Sequence, residues 1–156
     1  MKEQTIEVGV ISDTHGPLET RAADALKGVN FIIHAGDIMD SSVLFFLRQI
    51  APTTAVRGNM DGYDVSNDLK KTAVLDLGEV LIYVLHDVGR LDLDPRAAGF
   101  SVVVHGHTHE PEITKRDGVL YLNPGSAGSP RYNLRPSVAR LIVSGSKIKA
   151  KIIELD

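Results

Sequence analysis

The chain has 156 residues, 43% of them hydrophobic, a formal net charge of −3 and no cysteine. This length suits one domain, which at this size buries roughly 70% of the surface its unfolded chain exposes. Disulfides and thiolate ligands are excluded, and a mildly acidic chain without a long Lys or Arg block argues against stable nucleic-acid binding.

Met1 to Thr5 runs straight into a strand pattern with no apolar leader, and no apolar run approaches the ~20 residues of a membrane span. A cytoplasmic protein with no membrane partner is expected. Thr5 to Ile11 reads as a strand ending in Ser12-Asp13-Thr14-His15. Pro17 suits the first turn of a helix that places Leu18, Ala22, Ala25 and Leu26 on one face, with Gly28 as its stop. Val29 to His34 is a buried strand followed by Gly36-Asp37. Ser41 and Ser42 are candidate caps for a helix through Gln49, in which Phe45 and Phe46 are expected to face the core. If one faced solvent, it would suggest contact with another copy of the chain. Thr53 to Val56 is a third strand, ending in Arg57-Gly58-Asn59-Met60-Asp61. Strand and helix alternate over this half, which implies parallel pairing with right-handed crossovers.

The second half is strand-rich. Thr72 to Leu77 and Glu79 to Leu85 are strands hinged at Gly78, the latter ending in His86-Asp87. Asp94-Pro95 and Gly99 leave room for a short helix at most, and Ser101 to Val104 is a buried strand ending in His105-Gly106-His107-Thr108-His109. Asp117-Gly118 marks a hairpin between Ile113–Arg116 and Val119–Leu122, and Ser144-Gly145-Ser146 marks another between Ser137–Val143 and Lys147–Leu155. The lysines of the last strand alternate as guards of a sheet edge. The expected architecture is α/β: a four-layer α-β-β-α sandwich of two mixed sheets in a single domain spanning residues 1–156.

Ligands of open α/β sheets bind outside the carboxyl ends of the strands. Asp13, His15, Asp37, Asn59, His86, His107 and His109 all lie at such ends, so hard oxygen donors and imidazoles converge. Asp13 and His15 are two apart, as are His107 and His109, a spacing that points side chains the same way on a strand. Gly106 lets the turn before the second pair form tightly. This donor mix suits two divalent cations at the carboxyl ends of the strands.

Asp13-Thr14-His15, Gly36-Asp37-Ile38-Met39-Asp40, Gly58-Asn59-Met60-Asp61, His86 and Gly106-His107-Thr108-His109 resemble the signature of calcineurin-like metallophosphoesterases. Asn123-Pro124-Gly125-Ser126 extends the resemblance to small bacterial and archaeal members. The resemblance implies one metal on Asp13, His15, His109 and an oxygen of Asp37. A second metal would take the other oxygen of Asp37, Asn59, His86 and His107. A hydroxide bridging the metals would attack a phosphodiester. Manganese is the first choice, with nickel, iron, cobalt and zinc as alternatives. Arg57 and Asp61 are further catalytic candidates, Arg57 as a phosphate contact or else a solvated side chain before a Gly turn, and Asp61 as a turn or supporting carboxylate.

Two departures stand out. Met60 replaces a histidine that protonates the leaving group in many members, which leaves Asp40 without that partner and favours good leaving groups. Asp87 follows His86 where small members carry Gly, and the segment to Phe100 is short, which bears on specificity. His34 and His105 read as packing or supporting residues, and Arg131 and Arg135 as surface residues. The leading reading is a binuclear metal-dependent phosphodiesterase acting on a small substrate, with a homo-oligomer open. The alternative is a binding module resembling the scaffold subunit of eukaryotic retromer. A nuclease for long nucleic acids is disfavoured by the acidic balance and the lack of Trp.

Overall fold

Runs of β-branched residues separated by turn residues give ten strands in the computed structural model, which describes residues 4–62, 68–128 and 134–155. They are β1 (Thr5–Ile11), β2 (Phe31–His34), β3 (Thr53–Ala55), β4 (Thr72–Asp76), β5 (Leu81–Leu85), β6 (Val102–Val104), β7 (Glu112–Arg116), β8 (Val119–Asn123), β9 (Ser137–Ser144) and β10 (Lys147–Glu154). The first sheet has the order β10-β9-β1-β2-β3, and the second β4-β5-β6-β8-β7. The pairs β1–β2 and β2–β3 are parallel, while β9 runs antiparallel to β1. In the second sheet β5, β6 and β8 are mutually parallel, with β4 and β7 antiparallel at the edges. Both sheets are therefore mixed, as the sequence led us to expect.

The inner faces meet in one core. Val8, Val10 and Ile33 of the first sheet pack with Ile82, Val84, Val102 and Leu120 of the second. On the outer face of the first sheet lie α1 (Thr20–Ala25) and α2 (Ser42–Ile50), through Ala22, Val43, Leu44 and Leu47. The outer face of the second sheet is covered more thinly. Tyr83, Leu85, Val103 and Tyr121 pack there against Val88, Leu91, Leu93 and Phe100, whose segment contributes one 3-10 turn, Val88–Arg90.

Three expectations are corrected. The first helix starts at Thr20 rather than at Pro17, because His15 is in the left-handed region (φ 51°) and a bend follows before helical geometry begins. Phe45 and Phe46 face solvent, 60% and 51% exposed. The buried stripe of α2 is Val43, Leu44 and Leu47, and a 100° step per residue carries positions 45 and 46 to the other side. Its start is capped by Asp40, whose Oδ1 accepts from the Ser42 amide (2.9 Å) and hydroxyl (2.6 Å), rather than by a serine side chain. These two hydrogen bonds hold the Asp40 carboxyl below its usual range.

Candidate metal centre

The carboxyl ends of β1, β2 and β3 in one sheet, and of β5 and β6 in the other, open at the same edge of the sandwich. Backbone hydrogen bonds lace the loops that follow: Asp13 N to Gly36 O (3.0 Å), His15 N to Asp37 O (3.2 Å), and Gly106 N to His86 O (2.9 Å). The approach is close enough to demand small residues. A Cβ at Gly58 would strike the Asp37 side chain and amide, and one at Gly106 would strike Ser12 Oγ and Asp13 Oδ2. Gly106 is thus required for space between the sheets rather than for the turn geometry expected of it.

Asp13 is fully buried and divides its two oxygens. Oδ2 accepts from the Ser12 hydroxyl (2.6 Å) and the His107 amide (3.1 Å). Oδ1 faces His109 Nε2 (3.3 Å), His15 Nε2 (3.5 Å) and His86 Nε2 (3.8 Å). Asp37 does the same. Its Oδ1 accepts from the Met60 amide (2.8 Å), and its Oδ2 lies 3.2 Å from His86 Nε2 and 3.6 Å from His15 Nε2. The sequence leads us to expect one Asp37 oxygen on each metal; here Oδ2 faces both histidines while Oδ1 accepts from the Met60 amide. Two groups of metal-competent side chains result, Asp13 with His15 and His109, and Asp13 with Asp37 and His86.

The rings pair off. His15 and His109 have centroids 5.1 Å apart, as do His86 and His107. His107 and Asn59 are exposed at the rim, with His107 Nδ1 3.2 Å from Asn59 Oδ1. His86 Nδ1–H donates to Ala35 O (2.8 Å), which leaves Nε2 as the lone-pair nitrogen turned inward. Burial alone would raise the Asp13 carboxyl, but His109, His15 and the Ser12 hydroxyl hold it well below the usual range. Burial opposes His86 protonation, yet the Asp37 and Asp13 carboxylates raise its pKa. Asp13 Oδ1, His15 Nε2 and His86 Nε2 are buried without a hydrogen-bond partner among the described residues. Such atoms are costly unless a further group satisfies them. Two carboxylates, four imidazoles and an amide fit first-row divalent cations.

A supporting layer holds these groups. Asp61 accepts four backbone N–H bonds: from Gly58 (2.8 Å) and Asp37 (3.1 Å) on Oδ2, and from Ile38 and Met39 (2.8 Å each) on Oδ1. Both of its oxygens are therefore committed to the loops that carry Asp37 and Asn59. His34 and Thr14 join the Asp13 and Asp37 loops in the same way. His105 is 2% exposed and its ring nitrogens make no hydrogen bond among the described residues, so burial pushes its pKa down. Asn123 donates to Gly106 O (3.1 Å) and Thr108 Oγ1 (3.0 Å), and Ser126 donates to Asp13 O (2.8 Å). The Asn123-Pro124-Gly125-Ser126 run thus sits behind the centre, bracing both loops. The sequence alone points to no role for Ser12, which adjoins the first motif, or for Met39, which lies inside the second. Met39 Sδ lies 3.1 Å from His15 Nδ1.

Beside His86 and His107 opens a cleft of about 770 Å³, lined among others by Arg57, Lys71 and Arg90. Arg135 is exposed and lies 3.3 Å from Glu154, while Arg131 falls outside the described residues.

Residues 6–146 match the family model of the calcineurin-like phosphoesterase superfamily domain. A probable metallophosphoesterase of Methanocaldococcus jannaschii is 35% identical, over 97% of this chain and 83% of the relative. A phosphodiesterase of the same archaeon is 26% identical, over 77% of this chain and 83% of that protein. Among solved structures, wild-type Vps29 of Entamoeba histolytica, complexed with Zn²⁺, shares the fold (TM-score 0.76, 23% identity) over 97% of this chain and all of that one.

Proposed function

The chain belongs to the calcineurin-like phosphoesterase superfamily, and from that premise we propose that it is a binuclear metal-dependent phosphodiesterase. The observation that carries this reading is the set of buried atoms turned toward one another without a hydrogen-bond partner among the described residues, Asp13 Oδ1, His15 Nε2 and His86 Nε2. Asp13, His15, His109 and Asp37 would hold one cation, and Asp37, Asn59, His86 and His107 the other. Bound cations supply the charge that opposes the charge developing on phosphate oxygens, and they lower the pKa of water toward neutrality.

The protein's own part is to fix these donors beforehand. Each carboxylate has one oxygen tied to backbone, so the other is aimed. His86 has its proton placed on Nδ1 by Ala35 O. Asp61 fastens the two loops that carry Asp37 and Asn59. Met60 is 54% exposed at the rim, and its thioether cannot donate a proton to a departing alkoxide. Diesters with good leaving groups suit such a site better than alkyl monoesters. The archaeal relative named a phosphodiesterase supports the same class.

The test is hydrolysis of bis(4-nitrophenyl) phosphate by metal-stripped protein, with and without added Mn²⁺. A Mn²⁺-dependent rate that Asn59→Ala abolishes is expected, as is a gain on alkyl esters with Met60→His. Folded protein that turns over nothing with Mn, Ni, Co, Fe or Zn would overturn the reading and leave a binding module.

A further inference from the structure

The thin layer over the second sheet has a consequence at the metal centre. Residues between His86 and Val102 form no α-helix, only the 3-10 turn Val88–Arg90, and the cleft of about 770 Å³ lies on that side, within the range of small-ligand sites. Asn59, His86 and His107 line it, so it is continuous with the half of the centre that they would form. Tyr83 and Leu85 give it an apolar lining.

Arg57, Lys71 and Arg90 all line the cleft, and among the described residues none of their side chains makes an ion pair or hydrogen bond. The opposing carboxylates are Asp87 and Asp92. Asp87 Oδ1 accepts from the Gly89 amide (2.9 Å), and its Oδ2 lies 4.0 Å from His107 Nε2. A diester carries one negative charge, and the centre itself would take it. Arg57, Lys71 and Arg90 outnumber Asp87 and Asp92 by one positive charge, and among the described residues no ion pair ties up the three cations, so a second anion would find uncommitted donors beside the centre.

We propose that this cleft is a subsite for a second phosphate, so that the substrate is a phosphodiester one arm of which ends in a phosphate monoester. The group joining the two phosphates would lie along Tyr83 and Leu85. This inference rests on the phosphodiesterase reading for its substrate, but the cleft can be tested apart from it.

The probes are thymidine 5′-(4-nitrophenyl phosphate) and the same ester bearing an added 3′-phosphate. Mn²⁺-loaded protein should show a KM about ten-fold lower for the second, the size expected of charge-assisted hydrogen bonds. The double variant Lys71→Gln/Arg90→Gln should bring the two KM values together. Equal KM values in the native protein, or a preference that survives in the variant, overturns the proposal. Calorimetry on metal-stripped protein gives a readout free of turnover. Thymidine 3′,5′-bisphosphate should bind more tightly than thymidine 5′-monophosphate to the native chain and not to the variant. Selectivity in calorimetry without turnover of either ester would sink the phosphodiesterase reading while supporting the cleft. Turnover without selectivity would do the reverse.

Discussion

His34 illustrates how a residue beside the centre is set by its hydrogen bonds. Its Nδ1 accepts from the Gly36 amide (3.1 Å), so the proton sits on Nε2, 3.1 Å from Thr14 Oγ1. The Thr14 hydroxyl donates in turn to Ile38 O (3.2 Å). A protonated ring could not accept from Gly36, and full burial pushes the His34 pKa from 6.5 down to about 4. The unfolded chain therefore takes up a proton below pH 6.5 that the folded chain refuses until about pH 4. Stability from this group is complete above pH 6.5 and falls as pH drops toward 4, by up to about 3 kcal/mol. His105, also lowered, contributes in the same direction. Asp13 adds its loss only below the ordinary carboxylate value of 3.8. His86 is raised, so its contribution is complete below pH 6.5 and lost as pH rises past its folded pKa, outside this window. His34→Gln keeps one acceptor and one donor without titrating. Urea denaturation of metal-stripped protein should show a shallower loss between pH 6.5 and 4 in the variant. Parallel curves would mean that other groups govern acid stability.

At the scale of the element, the β7–β8 hairpin was the plainest signal in the chain. Asp117 (φ 51°) and Gly118 (φ 78°) both take the left-handed region, as a two-residue turn matched to strand twist requires. Gly118→Val places a β-branched residue there and should cost about 1–2 kcal/mol in denaturation. The turn lies at the far end of β8 from Asn123, so Mn²⁺ affinity should be unchanged. A fall in affinity would show that the hairpin is coupled to the centre through Asn123. The strands were legible because alternation and β-branching are local, and the convergence of Asp13, His15, Asp37, His86 and His109 because strand ends are recognisable without knowing the sheet order. The phase of α2 was not legible: nine residues containing six apolar side chains do not reveal which stripe is buried, and Phe45 and Phe46 looked as core-like as Leu44 and Leu47. Nor was the work of Ser12 and Asn123 visible, and the supporting role of Asp61 was one of two alternatives until its partners were known. Asp61 acts on amides 22 to 24 residues away, Asn123 on the loop 15 to 17 residues before it, and Ser12 on a neighbour that its hydroxyl must turn to meet.

For the whole molecule, the centre is where the two sheets are joined and also where the backbone is most strained. Asp13, His15, Asp37, His107 and His109 all have φ between 51° and 72°. A non-glycine residue held there costs on the order of 1 kcal/mol, and such strain persists only when its surroundings over-determine it. The laced amides supply part of that constraint, and Ala127 N to Ser12 O (3.0 Å) carries it to the loop after β8. The donor atoms supply the rest only when something satisfies Asp13 Oδ1, His15 Nε2 and His86 Nε2. Cation binding should therefore order these loops more than the sandwich, whose core between Val10 and Leu122 is complete without it. At cation concentrations about 100-fold above Kd, linkage adds about 2.7 kcal/mol to global stability. Local opening is the more telling quantity, because the least stable segments open first. Hydrogen exchange of metal-stripped and Mn²⁺-loaded protein should differ most at residues 13–15, 37–39 and 106–109. Exchange within β5 and β9 under conditions of local opening should stay the same. If loading protected every strand equally, the cations would be acting on the fold as a whole. If it protected none, the strained loops would be held by the protein alone and the centre would not need metal to keep its shape.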